Sequence, residues 1–85
     1  NSFIKALAKE LAPSGIRVNA ISPGAISTPM LNRFDSEELR ELEEEIPMGR
    51  LGLPKDISGV VSFVLSEDSS YITGQIISVN GGWNT

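Results

Sequence analysis

Residues 21 to 28 read ISPGAIST, an apolar run that stops at Pro23-Gly24 and continues in small and polar residues. Such a break is a strand ending in a tight turn that leaves backbone exposed. Exposed backbone at the carboxyl end of a strand is where open α/β sheets hold ligands; a plain Pro-Gly turn is the competing reading. The chain has no cysteine and no histidine, which excludes disulfide frameworks, thiol nucleophiles, imidazole bases and the usual zinc sites together. Chemistry here falls to hydroxyls, carboxylates, lysine or a bound cofactor, and no metal site is expected. Glu41, Glu43, Glu44 and Glu45 could pair as carboxylates, but an acidic run on an amphipathic helix reads first as a solvated face. Arg50 could meet an acid across an interface or cap a helix end.

Elements of regular period surround that turn. Phe3, Leu7 and Leu11, with Ile4, Ala8 and Ala12 beside them, form an apolar stripe that predicts a helix over 3–11. Pro13-Ser14-Gly15 ends it, with Gly15 able to take the left-handed conformation. Alternation from Ile16 to Ser22 predicts a strand. Residues 28–34 have no clean period and read as loop or a short helical turn. Asp35, with Glu38 three residues on, is a capping-box start for a helix over about 36–45. Pro54 fits the first turn of another helix, in which Ile57, Val60, Val61, Val64 and Leu65 share a face. Ser66 to Ser70 reads as a polar link. A last strand runs over 75–79 and ends at Asn80-Gly81-Gly82.

Three helices and two strands result, and two strands separated by helices pair in parallel. Two strands cannot cover three amphipathic helices, so exposed apolar faces are expected. The 85 residues carry a net charge of −4, are 40% hydrophobic and 21% charged, and have the balance of a soluble globular protein. Acidity argues against nucleic acid or an anionic membrane surface as partner. With no membrane-length apolar run and no signal-like opening, the expectation is a cytoplasmic protein. The order of elements begins as if inside a βαβ unit.

Three blocks, ALAKELAPSGIRVNAISPGAISTPM, IPMGRLGLPKDIS and SSYITGQIISVNGGW, resemble the C-terminal third of short-chain dehydrogenase/reductases, in that order and spacing. The flavour is that of 3-oxoacyl-[acyl-carrier-protein] reductases. The resemblance implies an α/β fold, residues 1–85 being the C-terminal portion of one NAD(P)-binding domain with a Rossmann-like doubly wound parallel sheet. It further implies that Pro23, Gly24, Ile26 and Thr28 bind the nicotinamide of NADP or NAD, NADP being favoured. Met30, Leu31 and Phe34 would then contact substrate on a flap, or simply pack in the core. The implied reaction is reduction of a carbonyl, such as a 3-oxoacyl thioester in fatty acid biosynthesis, by hydride transfer.

The family's catalytic Ser and Tyr-x-x-x-Lys would precede Asn1, so no catalytic residue is assigned and these residues alone are expected to be inactive. Tyr71 has Gln75 where a partnering Lys would stand and reads as a packing residue. Asn80 replaces the family's usual Asp. A homotetrameric parent is implied; the alternative expectation is a truncated, inactive module that only self-associates.

Overall fold

A computed structural model describes residues 1–83, and the side chain of Met30 lies outside the described residues. Helix α1 spans Ser2–Leu11, strand β1 Ala20–Pro23, helix α2 Ser36–Glu45, helix α3 Pro54–Val64 and strand β2 Ile76–Val79. Short 3₁₀ turns occupy Ala12–Ser14, Pro29–Arg33 and Glu67–Ser69. The two strands pair in parallel, Ala20 opposite Ile76 through to Pro23 opposite Val79. Helices therefore separate two parallel strands, as the spacing predicts.

Local chemistry explains the element ends. Asn1 Oδ1 accepts from the N–H groups of Phe3 (2.9 Å) and Ile4 (3.4 Å), satisfying donors that the first turn of α1 leaves open. Gly15 closes the other end at φ +77°. At α2 the capping box forms in full, Glu38 N–H to Asp35 Oδ1 (2.8 Å) and Asp35 N–H to Glu38 Oε1 (3.2 Å).

The strand predicted from Ile16 starts only at Ala20. Side chains explain the difference by taking over ladder positions upstream. Val18 N–H donates to Thr73 Oγ1 (3.0 Å), Asn19 Nδ2 donates to Ile72 O (3.0 Å), and Asn19 Oδ1 accepts from Gln75 N–H (3.0 Å). One backbone bond persists there, Gly74 N–H to Val18 O (2.7 Å), but the chain opposite turns at Gly74 and regular pairing begins only with Ala20 N–H to Gln75 O (2.9 Å). The polar link after α3 is likewise not solvated throughout, because Ser69 is fully buried. Arg17 Nη1 reaches Ser69 O (2.8 Å) and Oγ (2.9 Å), and Ser69 Oγ bonds Val64 O (3.0 Å) at the end of α3.

Burial is sparse. Among the described residues only Ala8 and Ile46 are buried apolar side chains, while Phe3 is 68% exposed and Leu65 78%. The radius of gyration is 15.7 Å, against about 12 Å for a compact domain of this length. Exposed helix faces follow, as expected from two strands under three helices. Tyr71, expected to pack before β2, is instead wholly exposed, at the turn between the 3₁₀ segment Glu67–Ser69 and Gly74. No helix among the described residues is long and apolar enough to cross a membrane.

Candidate functional site

The site forms where both strands end. Beyond β1, Gly24 N–H donates to Val79 O (2.9 Å), extending the pairing by one residue. A methyl group on Gly24 would lie 2.6 Å from Asn80 Cβ and 2.8 Å from its Cα, so no side chain fits. Backbone thus packs directly on backbone at the strand ends. Asn80 holds its own turn, with Trp83 N–H donating to its carbonyl (3.1 Å) and Gly82 N–H to its Oδ1 (3.0 Å).

After the turn, residues 25–27 run beside Gly52. Gly52 N–H donates to Ala25 O (2.9 Å) and Ser27 N–H to Gly52 O (2.7 Å), a one-residue parallel bridge between Ile26 and Gly52. In such a bridge the flanked residue turns its own N–H and C=O to the opposite side. Ile26 accordingly leaves one donor and one acceptor, a peptide width apart, without a partner among the described residues. That pattern complements a carboxamide.

Arg50 and Asp56 wall the same region. Arg50 Nη1 lies 2.9 Å from Asp56 Oδ2 and 3.0 Å from Leu51 O. Asp56 Oδ2 also accepts from Leu53 N–H (2.7 Å) at the start of α3. Leucine has no side-chain acceptor, so Asp56 supplies the only capping side chain there. The hydrogen bond from Arg50, with that from Leu53, holds the Asp56 carboxyl below its usual range, and Asp56 in turn raises Arg50. Arg50 therefore meets an acid within its own chain.

Two concavities share Asn80 as a wall. One, of about 200 Å³, is lined by Ile26, Met48, Arg50, Gly52, Asp56 and Asn80 among others. The other, of about 340 Å³, is lined by Ser22, Pro23, Gly24, Ser78, Asn80 and Trp83. Pro23, Gly24 and Ile26 are thereby brought together around one turn. Thr28, Leu31 and Phe34 line neither. Thr28 is the half-buried residue before the 3₁₀ turn Pro29–Arg33, and its side chain makes no cap hydrogen bond. Leu31 and Phe34 are half-buried along that segment, Phe34 with the Arg33 guanidinium 5.5 Å from its ring centroid. Of Met30, only the backbone is described.

Asn80, Trp83, Gly52 and the Arg50–Asp56 pair were not expected at the site. The Asn-Gly-Gly break after the last strand was the available signal, since both strands stop at glycine turns that parallel pairing must place side by side.

Parallel strands joined through helices, with glycine turns gathered at their carboxyl ends, define a Rossmann-like α/β fold. The sequence matches the family described as Enoyl-(Acyl carrier protein) reductase over residues 1–84. The chain belongs to the short-chain dehydrogenase/reductase family. It is 61% identical over 84 residues to an uncharacterized oxidoreductase, YmfI, of Bacillus subtilis, covering 99% of this chain and 35% of that protein. The crystal structure of a 3-oxoacyl-[acyl-carrier protein] reductase from Brucella melitensis superposes with a TM-score of 0.93 at 43% identity, covering 99% of this chain and 31% of that one. That of YwfH, an NADPH-dependent reductase involved in bacilysin biosynthesis, gives a TM-score of 0.88 at 34% identity, covering 95% and 35%. The chain spans about a third of the length of these relatives.

Proposed function

We propose that residues 1–85 are the C-terminal portion of an NAD(P)-dependent oxidoreductase that reduces a carbonyl, a 3-oxoacyl thioester being the favoured substrate. The observation that carries this reading is the free amide edge of Ile26, set by its bridge to Gly52 beside a turn too tight for any side chain. A nicotinamide bound there supplies a hydride for the carbonyl carbon, the oxygen taking a proton. Pro23 and Gly24 give the ring a flat backbone surface, and Ile26 N–H and C=O hold the carboxamide. Thr28 adds a hydroxyl that no cap hydrogen bond engages. Fixing the ring's angle is itself catalytic, because an oriented donor replaces a bimolecular search.

The segment from Pro29 through α2 serves in this reading as the substrate flap, with Met30, Leu31 and Phe34 towards the carbonyl compound. NADP is favoured over NAD because YwfH, a structural neighbour, is NADPH-dependent. The exposed apolar faces of α1 and α3 suit contacts with the rest of the domain and with other subunits of a homotetramer working in the cytoplasm. A purely self-associating module is the lesser reading, since it leaves the Ile26 edge without a role.

Titration of the full-length protein with NADPH, followed by nucleotide fluorescence, tests the proposal together with NADPH oxidation on acetoacetyl-CoA. Saturable binding and thioester-dependent oxidation are expected. Absence of binding by both NADPH and NADH contradicts it.

A further inference from the structure

The carboxyl end of α2 is pinned to the turn after β2. Met48 N–H donates to Gly81 O (3.0 Å), while Gly49 N–H closes the bend onto Ile46 O (2.7 Å). Ile46 is 3% exposed, one of the two buried apolar side chains among the described residues. Gly81 sits at φ +62°, and a methyl group there would stand 2.9 Å from Ile46 Cγ2. A methyl on Gly82 would stand 3.1 Å from Pro47 Cβ and Cγ. On its other side the same turn presses Asn80 against Gly24. Three consecutive residues thus touch the cofactor turn with one and the end of α2 with the other two.

Little else holds α2 among the described residues. It buries no residue of its own and packs broadly on no other helix or strand. Its attachment is at the ends, the Asp35 cap and the Ile46–Met48 bend. We propose that Gly81 and Gly82 are positioning residues that latch the flap, setting how far Leu31 and Phe34 stand from the nicotinamide turn. The inference rests on the functional reading above. Widening the latch moves the flap relative to the turn and weakens substrate binding. The nicotinamide contacts at Pro23, Gly24 and Ile26 stay in place, because Gly24 still bonds Val79.

Ile46→Ala in the full-length enzyme, which trims the α2 side of the latch at a residue lining neither concavity and leaves the turn's backbone untouched, tests this. KM for acetoacetyl-CoA is expected to rise about tenfold, with the NADPH dissociation constant and kcat each held within about twofold. Gly82→Ala, whose added methyl would press on Pro47 from a residue lining neither concavity, is expected to raise KM in the same selective way and gives the reading if Ile46→Ala does not fold. An unchanged KM in either folded variant, or a KM and NADPH dissociation constant that rise together, overturns the latch. A wild-type enzyme that binds no nicotinamide nucleotide overturns the functional reading and the latch with it.

Discussion

The strand ends and the outer helix faces of this chain are built on opposite principles. At the strand ends, Gly24 meets Asn80, Gly52 meets Ile26 and Gly81 meets Ile46 so closely that an added methyl group would overlap its neighbour. On the outer faces, Phe3, Phe63 and Leu65 lie 68%, 42% and 78% exposed with nothing packed over them. Close packing of backbone fixes geometry with little apolar burial, whereas open apolar faces contribute stability only when covered. The chain concentrates its close packing where the proposed cofactor sits and leaves apolar faces of its helices open.

Gly24→Val strikes the first region hardest. Two overlaps with Asn80, one of them backbone, force the strand ends apart, so a loss of about 3 kcal/mol in unfolding free energy is expected. At least tenfold weaker NADPH binding should accompany it, and denaturant melts with nucleotide titration would show both. A wild-type-like variant would break the contrast at its tight side.

Leu65→Ser probes the open side. If the exposed face is covered in the full-length protein, stability falls by about 2 kcal/mol. A change within about 0.5 kcal/mol would show the face to be ordinary surface and would remove the contrast from that end.

Smaller effects sharpen the account of α2. Asp35→Ala removes the cap and is expected to cost about 1 kcal/mol by chemical denaturation. If α2 is held only at its ends, that loss should appear as faster hydrogen exchange confined to the first turn of α2. Protection lost throughout the chain would instead make the helix part of the cooperative core.

The Arg50–Asp56 pair gives the smallest signal, a pH dependence. The folded Asp56 pKa is lowered, so its contribution is present above the usual carboxylate value of about 4 and is lost as pH falls through the folded value. Asp56→Asn should therefore flatten the acid limb of a Tm-against-pH profile and leave the limb above neutrality parallel to wild type. An unchanged acid limb would mean the pair adds nothing.

How much of this was legible in residue order varies with the interaction responsible. Capping at Asp35, the Pro54 start of α3 and the Gly15 stop rest on neighbours a few residues apart, and each was readable. The parallel pairing was readable too, because helices between strands leave few topologies. The late start of β1 was not, since the Asn19 and Thr73 side chains take ladder positions across more than fifty residues of chain. Ser69 reads as a link residue for the same reason, its partner Arg17 lying fifty-two residues away. Tyr71 is exposed because none of the described residues packs against its ring, which residue order did not reveal. At the site, Pro23-Gly24 was visible as a break in an apolar run. Asn80 and Gly52 became part of it only when the fold set them against Gly24 and Ile26.

The Ile26 amide offers the most direct test of the central claim. Its exchange with solvent deuterium, measured in the full-length protein with and without NADPH, should slow on nucleotide binding as the free N–H gains the carboxamide oxygen. Saturable NADPH binding with Ile26 exchange unchanged would contradict the placement of the nicotinamide at this turn.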